Sequence, residues 1–139
     1  MRRVLLDTNQ LVSSLLSTHG LQGRLLDAWR RREFVLVVAP GQIDEVAEVL
    51  RRPKIARTYP IAPADREAFL ELLRTESLLL PHGAAPGVCR DPDDDALLGC
   101  AAAGGAEYLV SGDRDLLVVR RHAGVTILTA REFLTLLGL

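Results

Sequence analysis

Phe34-Val35-Leu36-Val37-Val38 is an uninterrupted apolar run rich in β-branched residues. A strand with one wet face alternates apolar and polar residues, whereas a strand covered on both faces does not. The run therefore predicts a strand buried on both sides. Arg3-Val4-Leu5-Leu6 is a second short run, and it stops at Asp7. Tyr108-Leu109-Val110 and Val125-Thr126-Ile127-Leu128 read as further strands, and Leu78-Leu79-Leu80 as a short one. The segments between them carry helical spacing. Leu11 to Leu16 and Leu21 to Trp29 form two helices broken near His19-Gly20. Pro40 opens a helix in which Ile43, Val46, Val49 and Leu50 share one face, and Pro53 closes it. Ala64 to Glu76 turns Phe69, Leu72 and Leu73 inward. Pro81 to Val88 is a loop, Asp94 to Ala103 a helix of small residues, and Ala130 to Leu137 the last helix. Short apolar strands alternating with helices predict an α/β domain with a mainly parallel sheet.

The composition narrows what such a domain does. The chain has 139 residues, 17 Lys+Arg against 18 Asp+Glu, and a formal charge of −1. That length suits one domain spanning residues 1–139. High apolar content and near-zero charge argue against disorder. They also exclude a protein that grips nucleic acid through a large basic excess. Cys89 and Cys100 have neither disulfide-framework numbers nor zinc-ligand spacing, which suits buried thiols in a reducing compartment, the cytoplasm. The apolar opening is interrupted at Asp7, so no signal peptide is expected, and no run of about 20 apolar residues predicts a membrane span.

Four acids fall at equivalent places in this layout. Asp7 ends the first strand, Glu45 lies in the first turns of the helix after the second, Asp95 begins the helix after the Pro/Gly loop, and Asp113 follows Tyr108–Val110. In a parallel α/β sheet the carboxyl ends of the strands share one edge, where ligands bind. The four acids should converge there. Clustered carboxylates raise one another's pKa and call for a counter-charge. Oxygen ligands without His or Cys suit Mg²⁺ or Mn²⁺ rather than zinc. Taken singly, each acid has an ordinary alternative: Asp7 and the Asp91-Pro92-Asp93-Asp94-Asp95 run suit helix caps, Glu45 a helix N-terminus, and Asp113 a turn.

At these points the chain resembles the PIN-domain family of metal-dependent ribonucleases, in particular the branch of toxin components of toxin–antitoxin systems (VapC-like). The likeness rests on Val4-Leu5-Leu6-Asp7-Thr8-Asn9, on Ala39 to Val46 running to Arg51-Arg52-Pro53, on Cys89-Arg90-Asp91-Pro92-Asp93-Asp94-Asp95, on Tyr108 to Leu117, and on Ile127 to Leu134. The resemblance implies a three-layer α/β/α domain with an acidic pocket at the carboxyl edge of the sheet. It implies endonucleolytic RNA cleavage with Mg²⁺ or Mn²⁺. It matches Asp7, Glu45, Asp95 and Asp113 to the family's metal-binding and catalytic acids, with Asp115 and Asp93 in reserve and Asp94 also near enough to assist. It matches Asn9 and Ser111 to the polar residues that support the acids. Ala39 stands where the family commonly has Ser or Thr. A cognate antitoxin and a homodimer are the implied protein partners.

The expected mechanism has Asp7, Asp95 and Asp113 holding one or two metal ions while Glu45 positions or deprotonates the attacking water. Arg51 and Arg52, with Lys54, Arg57 and the Arg30-Arg31-Arg32 cluster, are candidates for RNA phosphate contact. The alternative for both clusters is stabilisation of helix C-termini. Trp29, beside Leu25 and Leu26, reads as core, with base stacking as the alternative. His19, His82 and His122 are scattered and form no catalytic pair. A haloacid-dehalogenase-like site needs an acid two residues after Asp7, where this chain has Asn9, and no glycine array suggests nucleotide binding. The competing functions are a non-catalytic PIN-fold interaction module and an RNA-processing nuclease.

Overall fold

The structure, a computed structural model, describes residues 1–139. Its centre is strand β1 (Arg3–Leu6), which pairs in parallel with β2 (Val35–Val38) on one side and β4 (Tyr108–Val110) on the other. β3 (Leu78–Leu79) extends the sheet beyond β2, while β6 (Val125–Leu128) and β5 (Arg121–His122) extend it beyond β4. The order is β3-β2-β1-β4-β6-β5, with only β5 antiparallel.

The continuous apolar runs do what their pattern predicts. In β1, Val4 and Leu6 enter one core and Leu5 the other. β2 splits in the same way, Leu36 and Val38 against Val37. Register keeps the faces consistent, because Leu5 pairs with both Val37 and Leu109. Helices α1 (Thr8–Leu16), α2 (Leu21–Arg30), α3 (Gln42–Arg51), α5 (Pro63–Glu76) and α8 (Ala130–Leu136) contribute to the larger core. Its centre includes Phe34 set edge-on to Phe133, with ring centroids 5.3 Å apart. Helices α6 (Pro92–Ala103) and α7 (Arg114–Leu117) cover the smaller core on the opposite face. The result is the three-layer α/β/α arrangement. Trp29 is buried in the larger core, so packing is its principal role. No helix is long and apolar enough to cross a membrane.

Three local features depart from the sequence expectation. A short helix α4 (Pro53–Thr58) follows α3, since Pro53 ends one helix and occupies the first turn of the next. α6 starts at Pro92 rather than Asp94, with Asp91 as its N-cap. β5 was not anticipated. It is half of a hairpin whose two turn residues, Ala123 and Gly124, have φ of 48° and 82°. Such a turn needs positive φ at both central residues, normally signalled by Asn-Gly or Asp-Gly. Ala123 is a poor signal and holds a strained backbone. Ala123→Asn should therefore stabilise the fold by about 0.5–1 kcal/mol, read as a rise in Tm. An unchanged or lower Tm would count against the strain.

Candidate active site

The chain passes from β1 to β2 and β3 on one side of the sheet before crossing to β4 on the other. This reversal opens a crevice beyond the carboxyl ends of β1 and β4, the place where open α/β sheets bind ligands. A cleft of about 500 Å³ lies there, lined by Asp7, Glu45, Asp91, Asp93, Asp94 and Asp113 together with Thr8, Asn9, Gln42 and His82. The first turns of α1, α3 and α6 and the N-cap of α7 all contribute to its wall. Their backbone N–H groups and helix dipoles favour negative charge at this spot.

Asp7 is the most buried acid of the cleft lining. Its Oδ1 accepts from the backbone N–H of Gln10 at 2.8 Å, capping α1, and its Oδ2 accepts from the Ser111 hydroxyl. Ser111 Oγ in turn accepts from the backbone N–H of Asp113 at 2.9 Å, which links the ends of β1 and β4. Burial pushes the Asp7 carboxyl above its ordinary value against the opposing effect of these bonds, and the charges of Asp113 and Glu45 add to the rise. Asp113 caps α7 through the Asp115 N–H at 2.9 Å. Cap and site are thus not alternatives at Asp7 and Asp113. One carboxylate oxygen suffices for the cap.

Asp95 departs from its expected place. Its Oδ2 accepts from the backbone N–H of Gly87 at 2.8 Å, and its Oδ1 accepts from Val88 and Cys89, each at 3.0 Å. The side chain is buried and lies outside the cleft lining. The bond from Cys89, with those from Gly87 and Val88, holds its carboxyl below the usual range. The cause of the departure is helix phase. With Asp91 as N-cap, its Oδ1 accepting from Asp93 and Asp94 at 2.8 and 3.3 Å, the cleft-facing side of α6 falls on Asp94. Asp91-Pro92 was the available signal, because an N-cap followed by Pro marks a helix start.

Asp94 is the group that the geometry brings forward. Burial, then the adjacent Asp113 carboxyl, push it up to about 7. Two carboxylates can bond only through a shared proton, so with both ionised Asp94 Oδ2 is buried without a donor. Asp91, Asp94 and Asp115 can also each place a carboxylate oxygen within 4.8 Å of the other two. A buried oxygen lacking a donor, grouped with the carboxylates of Asp91 and Asp115, fits a hard divalent cation. The nearby Cys89 thiol is raised to about 11, first by burial and then by the charges of Asp95 and Asp94, so it is a neutral thiol at pH 7. Both cysteines are free.

The remaining expectations divide. Glu45 is exposed and faces the cleft from α3. Asp93 lines the rim and is exposed. Asn9 lines the cleft, but the Asp7 carboxylate is held by Gln10 N–H and Ser111 Oγ rather than by Asn9. Arg51 and Arg52 are exposed at the far end of α3. Arg52 pairs with Glu48 at 3.1 Å, and Arg51 lies 3.9 Å from Glu67. Arg30 and Arg32 lie at the opposite edge of the sheet, before the start of β2.

Two cleft residues escaped the sequence reading. Gln42 is buried, with its Oε1 accepting from Ala39 N–H at 3.0 Å and its Nε2 donating to Leu6 C=O at 2.7 Å. It ties the ends of β1 and β2 together. Gln42→Leu leaves that N–H and C=O unpaired and should cost about 2–4 kcal/mol in urea unfolding. A loss below 0.5 kcal/mol, on the scale of an ordinary surface substitution, would show the tie to be unimportant. His82 comes from the loop between β3 and α6, which Gly83 and Gly99 allow to lie directly on the helix. A Cβ on Gly83 would sit 2.0 Å from Gly99 O, and one on Gly99 2.4 Å from Ala84 O.

An α/β domain whose sheet reverses its winding beside a cleft of converging carboxylates presents oxygen ligands of the kind that hard divalent cations take. Residues 3–115 match the PIN domain family, and the chain is a member of it. It is 26% identical over 121 residues, covering 85% of this chain and 75% of the relative, to the uncharacterized protein MJ1680 of Methanocaldococcus jannaschii. Among solved structures it is similar to PAE2754 from Pyrobaculum aerophilum, with a TM-score of 0.66 at 20% identity, covering 99% of this chain and 90% of that one. It is also similar to a chain of VapBC2 from Rickettsia felis, solved bound to a DNA fragment from their promoter, with a TM-score of 0.59 at 12% identity over 90% of this chain and 96% of that one. These two likenesses concern the fold. PIN domains are in general metal-dependent nucleases.

Proposed function

We propose that this chain is a Mg²⁺- or Mn²⁺-dependent endoribonuclease of the cytoplasm, the toxin of a toxin–antitoxin pair, working as a homodimer and restrained by a cognate antitoxin. The observation that carries the reading is the convergence of Asp7, Glu45, Asp94 and Asp113 on one cleft of a PIN fold, with Asp94 Oδ2 buried and lacking a donor. Asp94, Asp91 and Asp115, whose carboxylate oxygens lie within 4.8 Å of one another, are the residues that would hold the ion, with Asp7 and Asp113 facing the same cleft. A bound divalent cation would supply Lewis-acid stabilisation of the charge that develops on the phosphate.

The chain's own groups supply the rest. Glu45, exposed on the cleft wall, accepts a proton from the attacking water. The water oxygen bonds to phosphorus as the P–O3′ bond breaks, and the departing oxygen is protonated from solvent. Thr8 and Asn9 offer neutral donors where carboxylates would repel the substrate. Arg51 and Arg52 extend the phosphate contact along α3. Asp95 acts one step back by holding the loop that carries His82 and Asp91.

The deciding test is cleavage of labelled RNA with Mg²⁺, Mn²⁺ or EDTA. Asp7→Asn should abolish metal-dependent cleavage while the fold survives. Asn keeps the cap acceptor for Gln10 N–H and can bond Ser111 Oγ. Cleavage that persists in EDTA, or in the Asp7→Asn protein, would sink the reading. The interaction-module alternative predicts no Mn²⁺ binding by calorimetry.

A further inference from the structure

A second cleft, of about 520 Å³, lies at the amino edge of the sheet and is unrelated to the acids. It is lined by Trp29, Phe34, Leu72 and Leu78 together with Arg30 and Arg32, and Glu76 is its single acid. A four-residue parallel strand spans about 13 Å, so this cleft and the acidic one are separated by the length of the strands.

Two observations mark it as more than an unfilled groove. Neither Arg30 nor Arg32 has a carboxylate within 4.0 Å; the ion pairs of this chain use Arg51, Arg52, Arg66 and Arg74. Arg32 also sits at φ 59° in the turn that ends α2, where Glu33 N–H reaches Ala28 C=O and Arg32 N–H reaches Trp29 C=O. Glycine is the residue this turn normally takes. An arginine held in left-handed backbone in the lining of a cleft is a strained feature of the kind that gathers at binding sites.

The chemistry of the walls selects the occupant. An apolar lining with net positive charge fits an anchor of leucine size flanked by carboxylates. β3 borders the cleft through Leu78, pairs only with β2, and leaves Leu78 and Leu79 49% and 71% exposed. Its free edge offers main-chain N–H and C=O groups to another extended chain. A nucleic acid cannot extend that ladder, because its backbone lacks the alternating N–H and C=O groups at strand spacing. We propose that the amino-edge cleft is a docking surface for an extended acidic peptide segment of a partner protein, its apolar anchor seated against Trp29 and Phe34 and its carboxylates on Arg30 and Arg32.

Trp29 is the sole tryptophan of the chain, so its emission reports occupancy directly. The full-length protein is titrated with three probes: a terminally blocked octapeptide of alternating glutamate and leucine, its lysine–leucine counterpart, and an oligouridylate. The glutamate–leucine peptide should shift the emission saturably, and the other two should not. Arg30→Glu should weaken its binding at least ten-fold. Arg32→Gly should also weaken it, and because glycine suits that backbone the protein should melt no lower than the parent. An equal response to the lysine peptide or the RNA, no saturable response to the acidic peptide, or unchanged affinity in both variants would overturn the proposal.

Discussion

Asp94→Asn is expected to abolish RNA cleavage and to weaken Mn²⁺ binding by about 100-fold or more, while making the metal-free protein more stable at neutral pH. Removing a supporting neighbour of a metal ligand commonly costs 10–100-fold, and removing the ligand costs more. The stability gain has a separate origin. Asp94 is crowded by Asp113, Asp91 and Asp7, and burial with these charges holds it at about 7. A carboxyl whose folded pKa is raised loses stability as pH climbs from its unfolded value, near 4, through 7. The amide carries no charge, so the variant should lose that dependence. Because the group is partly exposed and screened, the gain is about 1 kcal/mol rather than the full conversion of the shift. Melting curves in EDTA from pH 4 to 8 and calorimetry with Mn²⁺ check both halves. Full metal affinity in Asp94→Asn would remove Asp94 from the site.

Asp95→Asn should behave in the opposite way. The ionised carboxylate receives three backbone N–H donors, from Gly87, Val88 and Cys89, and both of its oxygens are engaged. An amide must turn its NH₂ toward at least one of those donors. The expected result is a fall in Tm larger than that of Asp93→Asn, with faster hydrogen exchange at Gly87 to Cys89. Mn²⁺ affinity should fall far less than in Asp94→Asn, and activity should drop because the loop bearing His82 and Asp91 loosens. The sign of the pH dependence is also opposite. The Asp95 carboxyl is depressed, so its contribution is present above the unfolded value of 3.8 and is lost as pH falls through the folded one. Unchanged stability with lost metal binding would restore Asp95 as a direct ligand.

These two neighbouring residues show where sequence legibility ends. That an acid from the 91–95 run enters the cleft follows from its place after a loop and before a helix of small residues. Which acid enters depends on helix phase, and one residue of phase is about 100° of rotation. Asp91-Pro92 marks the helix start, and a start placed at Asp94 misses it. Gln42 was invisible for another reason. Its partners, Ala39 N–H and Leu6 C=O, include one 36 residues away, and no local pattern announces a side chain that bridges two strand ends. β5 was missed because Ala123 does not advertise the positive φ it adopts.

The apolar runs at residues 3–6, 35–38, 108–110 and 125–128 were enough to dictate a helix-clad, mainly parallel sheet. Burial on both faces is a property of composition along the strand, and it needs no partner to be recognised. The same runs placed Asp7, Glu45 and Asp113 at one edge, because parallel strands carry their carboxyl ends together. Tertiary packing settled what depends on rotation and on distant partners: Asp94 in the cleft and Asp95 on the loop, Ser111 bridging Asp7 to Asp113, and Arg30 and Arg32 gathered around an apolar cleft at the far edge. Those outcomes rest on ångström-scale geometry between segments far apart in the chain, which periodicity cannot encode.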